Sequence, residues 1–396
     1  EQMHAPLPTL QVADTRIALG QLGRHNRRLS AARVIGLTGS QGKTTVKEMT
    51  AAILREAGAV LNTQGNLNND YGVPLTLLRL EASHDFAVIE MGANAGGEIA
   101  YTTALTEPDI AHITCVAPTH VEGFGSLQGV ARGKSEIWQG LKAGGVAVLN
   151  LDDANVMDHY SPRAGVSAVT ISAAGKTSAD YRLASVRDLG LAGSDFELQA
   201  PCGALRLMLD LPGLHNAANA LAAAALALEA GASLAQVRSG LEQMHSVKGR
   251  LVVKAGRNGS VILDDTYNAN PDSVRAAIEV LAELPAPRLL VLGDMGEVGL
   301  QGAEFHQEVG AYAQAKGIQS LFTLGHLCLH SSQAFQGARH FEDMNTLQEA
   351  VIKDISRFQS VVVKGSRFMK MERVVEALRA LTESQQATER ETVHVA

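Results

Sequence analysis

The decapeptide GLTGSQGKTT at residues 36–45 is the stretch whose residue types and spacing most directly offer chemistry. Small glycines let backbone N–H groups approach a phosphate, and the amino terminus of a following helix favours negative charge. Lys43 then reaches the β- and γ-phosphates, and the Thr44 hydroxyl is a ligand for magnesium. The stretch is not a strict G-x-x-x-x-G-K-[ST] pattern, because Leu37 stands five residues before Gly42 and the nearest glycines are Gly36 and Gly39. A glycine-rich turn with an incidental lysine is the plain alternative. A strand before the stretch and a helix after it favour an ATP-type phosphate cradle.

Other residues have chemistry open to them. Glu90 ends the run FAVIE, at the carboxyl end of a strand, where ligand sites open in α/β sheets; it is either a magnesium ligand or a solvated carboxylate. His120 follows the next apolar strand and is either a further ligand or a polar loop residue. GNLNND at 65–70 offers the amides of Asn66, Asn68 and Asn69, which turn chemistry explains as well as ligand binding does. In DDTYNANPDS at 264–273, Asn270 and Pro271 make an N-cap and a first-turn proline, which leaves Asp265 and Asn268 in the loop for ligand contact. LGDMGEVG at 292–299 and VKGSR at 363–367 also end strands, which points to one shared crevice.

The elements that must position these residues follow from periodicity. Short apolar strands alternate with amphipathic helices from Arg33 onward, the pattern of parallel α/β architecture, with strands at 33–38, 86–90, 110–116 and 145–150. The helix after the first strand carries Val46, Met49, Ile53 and Ala57 on one face. Residues 165–211 read as strands without intervening helices, consistent with a small antiparallel sheet. Two Ala-rich helices at 216–230 and 233–244 precede Gly249 and Arg250, and a second α/β series then has strands near 260–264, 288–293, 320–324 and 360–363. A domain boundary is placed near 250. At the start, TLQV and a helix from Thr15 to Arg27 have too little chain for a domain and read as the tail of a missing unit, in a chain that begins at Glu1 without methionine. The polar stretch 384–396 reads as a mobile tail.

Bulk properties bound the answer. A chain of 396 residues, 46% hydrophobic and 19% charged, has the composition of a multidomain globular protein. With 34 Lys and Arg against 41 Asp and Glu, the net charge of −7 gives no global attraction to nucleic acid or an anionic membrane, so any phosphate site is local. No apolar run approaches the roughly 18 residues of a membrane span, and no signal-peptide pattern is seen. Three scattered cysteines, Cys115, Cys202 and Cys328, argue against a disulfide framework or a zinc site, and a reducing cytoplasm is the simplest setting.

Taken in order, GLTGSQGKTT, GNLNNDYGVPLTLL, VIEMGAN, HVEGFGS, LPGLHNAANALAAAA, DDTYNANPDS, LGDMGEVG and VKGSR resemble the Mur ligase family over nearly the whole chain from about residue 33. The resemblance implies an α/β fold with a central P-loop ATPase domain (31–249), its parallel sheet joined by the small antiparallel one, and a Rossmann-like carboxyl-terminal domain (250–383). Residues 1–30 would be the remnant of an amino-terminal domain that grips the uridine nucleotide. The implied activity is ADP-forming ligation of D-alanyl-D-alanine to UDP-N-acetylmuramoyl-tripeptide through an acyl phosphate, using ATP and Mg2+; no motif in the chain points to an interface, so a monomer is expected.

Carried over residue by residue, the resemblance implies that Thr38, Gly39, Ser40, Gln41, Gly42, Lys43 and Thr44 hold the triphosphate. Thr44 and Glu90 would hold one magnesium, and His120 a second, together with a carbamylated Lys134. Asn219 would contact adenine, and Arg250, Asp265 and Asn268 would line the nucleotide side. Asn66, Asn68 and Asn69 would face the muramoyl peptide, while Lys364, Ser366 and Arg367 would face the second substrate. Phosphoryl transfer needs positioning and charge neutralisation more than a protein nucleophile, so no Ser-His-Asp set is required. The rivals are another Mur ligase, a folylpolyglutamate synthetase, or a regulatory P-loop ATPase that hydrolyses ATP without an amine acceptor. GNLNND and DDTYNANPDS argue against the first two.

Overall fold

The computed structural model describes residues 10–119, 121–244, 249–256, 259–296 and 298–379. His120 and the expected tail at 384–396 lie outside the described residues.

Unbroken apolar runs such as VIGL at 34–37 and AVI at 87–89 make strands that need cover on both faces. They belong to β1 (Arg33–Thr38) and β3 (Phe86–Glu90), with the short β2 (Val60–Asn62) between them in the chain and at the outer edge of β3 in the sheet. The chain adds β4 (Ile110–Ile113), β5 (Val146–Asn150), β6 (Ser167–Ser172), β7 (Tyr181–Asp188), β8 (Ser194–Ala200) and β9 (Gly203–Leu209). These form a nine-stranded sheet in the order β2-β3-β1-β4-β5-β6-β7-β8-β9, parallel from β2 to β7 and antiparallel through β8 and β9. Ile35 and Leu37 face a core shared with the helices Lys43–Arg55 and Leu214–Glu229, while Val34 faces an opposite core that includes Ile99 and Ile137. The alternation along β1 thus fills two layers at once.

Of the antiparallel sheet expected at 165–211, only β7 to β9 pair that way; β6 pairs parallel with both β5 and β7, so the antiparallel ladder continues the parallel sheet and is not a separate one. β9 shows why: alternate residues Leu205, Leu207 and Leu209 are buried, and the Ala-rich helix Leu214–Glu229 covers that face in the same core. Amphipathic strands need one such cover, and the shared helix supplies it to both halves of the sheet.

A second sheet comprises β10 (Val252–Ala255), β11 (Val261–Asp265), β12 (Arg288–Gly293), β13 (Ser320–Leu324), β14 (Arg339–Phe341) and β15 (Ser360–Lys364). Its order is β10-β11-β15-β12-β13-β14, parallel except for the antiparallel edge strand β10. Helices cover both faces, giving two further cores.

Two further local readings differ from the sequence expectations, at residues 10–12 and at Ala57, and the expected helix from Thr15 is present. Residues 10–12 of the anticipated TLQV strand have no ladder partner. The helix Thr15–Leu29 packs onto the first sheet's helical layer, with Arg27 buried and donating to the carbonyls of Thr106 at 2.9 Å and Glu107 at 3.0 Å and to Asp109 at 3.0 Å. Ala57 falls beyond the helix Lys43–Arg55 and is exposed, because the chain turns at Glu56.

Candidate active site

Strands β3 and β4 flank β1 on opposite sides, so the chain leaves the carboxyl end of β1 at a point where connections diverge, and a crevice opens there. The loop that crosses it contains Gly39 at φ +149° and Gly42 at φ +76°, backbone conformations that favour glycine. A methyl group at position 39 would collide with the Thr114 side chain, and one at 42 would come within 2.7 Å of Asn219 Oδ1. Neighbouring strands hold the loop in place. Ser40 N–H donates to the Cys115 carbonyl at 2.8 Å, the Ser40 hydroxyl donates to the Ala117 carbonyl at 2.9 Å, and the Thr114 hydroxyl donates to the Gln41 carbonyl. Gly42 has no side chain to cap the helix Lys43–Arg55, so its first-turn N–H groups face the loop, ready for an anion. Lys43 Nζ donates to the Gly39 carbonyl at 2.6 Å, curling back over the cradle.

Beside the cradle, β3 pairs Glu90 with Leu37 of β1, which brings this residue to the carboxyl end of the strand that feeds the loop. Glu90 is buried; its Oε1 accepts from Asn68 Nδ2 at 2.8 Å, while Oε2 has no hydrogen-bond partner among the described residues. The Thr38 hydroxyl and Arg250 Nε are likewise buried without partners. Buried polar atoms left unpaired are costly, and these three leave polar capacity that a bound ligand would satisfy. An orphaned carboxylate oxygen together with the buried Thr44 hydroxyl is a hard-oxygen donor set that fits magnesium.

Lys134, on the helix Leu127–Ser135, is 1% exposed. Burial, reinforced by the nearby Lys43 ammonium, pushes it down to about 7, so an appreciable neutral fraction exists at neutral pH. Its Nζ lies 5.8 Å from the centre of the Phe124 ring. His120, its expected metal-site partner, lies outside the described residues.

The asparagine loop divides its work. Asn68 holds Glu90 and lies against Gly92, where an added methyl would come within 2.9 Å of its Oδ1. Asn69 Oδ1 accepts from Gly72 N–H at 2.9 Å and so turns the chain into the helix Gly72–Leu77. Asn66 is exposed. Asn219, expected near adenine, lies against Gly42 and donates to Asn216 Oδ1 at 3.2 Å.

The second sheet brings its own groups to the same crevice. Arg250 stacks on Tyr267 at 4.3 Å and donates to the Thr44 hydroxyl at 3.0 Å. Gln41 Nε2 reaches Asp272 at 3.4 Å. Lys364, at the end of β15, is buried and pairs with Asp265 at 2.6 Å while donating to the Asn268 carbonyl at 2.9 Å, so these three expected site residues converge. The Ser366 hydroxyl accepts from Gly296 N–H at 2.6 Å and donates to the Ala269 carbonyl at 3.2 Å. Arg367 is exposed and pairs with Glu372 at 3.1 Å. The N-cap at Asn270 is as expected, accepting from Ser273 N–H at 2.9 Å.

Asp294, His306 and Cys328 also cluster with metal-ligand spacing, but backbone groups already engage them. Asp294 accepts from the N–H groups of Leu327 and Cys328, and both ring nitrogens of His306 meet backbone partners, at Met295 and Gly302. This cluster ties loops together. Sequence reasoning missed Lys47, Asp272 and Tyr267. For Lys47 the spacing carried no signal: GKTTVKE puts it one helical turn beyond Lys43, and its burial is known only from the structure.

Two family models match the chain: the Mur ligase middle domain over residues 37–227, and the Mur ligase, glutamate ligase domain over 249–367. The UDP-N-acetylmuramoyl-tripeptide–D-alanyl-D-alanine ligase of Escherichia coli K12 is 45% identical over 374 residues, covering 94% of this chain and 82% of that protein. A crystal structure of MurF from Acinetobacter baumannii superposes with a TM-score of 0.89 at 36% identity, over 96% of this chain and 83% of that one. MurF ligase from Thermotoga maritima in complex with ADP superposes with a TM-score of 0.83 at 25% identity, over 97% and 88% respectively.

Proposed function

The chain belongs to the Mur ligase family, and we propose that within it the protein joins D-alanyl-D-alanine to UDP-N-acetylmuramoyl-tripeptide, with ATP as the energy source, in peptidoglycan synthesis. The observation that carries this reading is the buried phosphate loop bordered by an orphaned Glu90 oxygen and reached by Arg250 from the second sheet. A carboxylate oxygen of the tripeptide attacks the γ-phosphorus, ADP leaves, and an acyl phosphate forms. The dipeptide amine then attacks the acyl carbon, phosphate departs with the C–O bond electrons, and the amine proton is lost as the peptide bond forms.

The chain's part is placement and charge. Loop N–H groups and Lys43 hold the β- and γ-phosphates in line with the attacking carboxylate, where electrostatic preorganisation counts most. Arg250 adds a cation from the other side of the crevice, and Lys364 and Arg367 face the dipeptide. Thr44 and Glu90 would hold magnesium, which when bound neutralises the phosphate charge that the lysines leave. Lys134 is proposed to carry a carbamate: its neutral amine adds to carbon dioxide and loses a proton, which converts a cation beside the metal site into an anion. Asn219 and Asn268 are assigned to the nucleotide side and Asn66 to the muramoyl peptide.

Residues 31–249 would form the ATP-binding unit and 250–383 the acceptor unit. No helix among the described residues is long and apolar enough to cross a membrane. Three free cysteines suit the reducing cytoplasm proposed here. The test is ADP release with UDP-N-acetylmuramoyl-tripeptide and a panel of amines. Turnover that depends on D-alanyl-D-alanine is expected; equal turnover without any amine, or with a single amino acid, would overturn the assignment.

A further inference from the structure

Lys47 lies on the helix Lys43–Arg55, one turn beyond Lys43, and its side chain is 1% exposed. A wholly buried ammonium is costly unless oxygens surround it. Its Nζ donates to the Thr63 carbonyl at 2.7 Å, pairs with Glu48 Oε1 at 2.9 Å and lies 4.0 Å from Glu90 Oε2. The anchor is itself fixed, because Glu48 Oε2 accepts from Asn62 Nδ2 at 3.1 Å.

Glu90 is held from the complementary side. Its N–H donates to the Thr63 hydroxyl at 2.9 Å, and Asn68 occupies its Oε1. Thr63 therefore binds Lys47 through its carbonyl and Glu90 through its hydroxyl, linking the two charges in one frame. At 4.0 Å the ammonium balances the Oε2 charge without taking its lone pairs by a hydrogen bond.

We propose that Lys47 is a positioning residue for the divalent metal, acting through Glu90: it fixes the free carboxylate oxygen in place while leaving it able to coordinate. This inference rests on the reading of Glu90 as a metal ligand. A competing role is purely structural, with Lys47 and Glu48 fastening the helix to β2.

Manganese binding to the protein–ADP complex, followed by the electron paramagnetic resonance of free Mn2+, separates these roles without turnover. The proteins compared are the unsubstituted chain, Lys47→Met, Glu90→Gln and the double variant. Loss of an outer-shell partner weakens metal binding by about 10–100-fold, so Lys47→Met is expected to fall in that range. The double variant is expected to bind no more weakly than Glu90→Gln alone, because one residue acts through the other. A folded Lys47→Met with unchanged Mn2+ affinity, or losses that multiply in the double variant, would overturn the inference. If Glu90→Gln itself binds Mn2+ normally, the metal-ligand reading fails first. Should Lys47→Met not fold, Lys47→Gln keeps a donor for the Thr63 carbonyl without the charge and is read in the same comparison.

Discussion

Arg250 and Thr44 are hydrogen-bonded at 3.0 Å across the crevice, so a residue entering the second sheet touches the hydroxyl that borders the phosphate loop of the first. Stacking on Tyr267 fixes the guanidinium plane. If Thr44 borders bound nucleotide, this contact predicts that the two residues contribute jointly to nucleotide affinity. In a double-substitution cycle on ATP affinity, Arg250→Ala and Thr44→Ala should be non-additive by about 0.5–3 kcal/mol. Additive losses by calorimetry would show that the two act independently.

Lys43→Ala should reduce ATP turnover by about 100-fold or more, since a preorganised charge aimed at transferring phosphate is removed. The fold should survive, because the side chain covers a loop rather than filling a core. Circular dichroism and ADP release measured on one preparation check both halves.

Gly39→Ala should cripple nucleotide binding more than it lowers global stability. Its φ of +149° and the neighbouring Thr114 side chain leave no place for a methyl group, so the loop must move off its phosphate-binding path. ATP titration by calorimetry is the measurement; binding equal to that of the unsubstituted chain would contradict the loop geometry.

Lys134→Ala should cut ligation strongly, short carboxylic acids should partly restore it, and Lys134→Arg should stay inactive because a guanidinium forms no carbamate. Full activity of Lys134→Arg would refute the carbamate. A second, metal-free readout follows from the lowered value of about 7 against an ordinary 10.5. Below pH 7 both folded and unfolded chains carry the proton, and the folded state bears the whole cost of burying it. Between about 7 and 10.5 only the unfolded chain keeps the proton, so stability rises with pH across that window. In bicarbonate-free buffer, Lys134→Met should therefore stabilise the protein more at pH 6 than at pH 9, as measured by denaturant unfolding.

Lys364→Met should destabilise the second unit by about 1–3 kcal/mol, because it removes the charge partner of the half-buried Asp265 carboxylate, which among the described residues keeps only the Leu251 N–H donor. Adding Asp265→Asn should recover part of the loss, although ligation stays low. Urea unfolding followed by a probe in the second sheet tests this.

From the residues alone one could read the glycine loop between the first strand and helix, the alternation of strand and helix, the N-cap at Asn270 and the order of motifs, because each depends on neighbours a few positions apart. The loop's glycines, the 3.6-residue spacing of Val46, Met49 and Ile53, and the apolar runs of β1 and β3 are local statements that the fold had only to accommodate. Partnership between distant residues was decided only by the tertiary structure. The sheet order places Glu90 beside Leu37; the approach of two sheets places Arg250 on Thr44; and one asparagine of three supports Glu90 while another starts a helix. Lys47 shows the limit most clearly. On sequence it is one more helical lysine, a residue type that is usually solvated, and only packing against Thr63, Glu48 and Glu90 makes it a buried charge with a task.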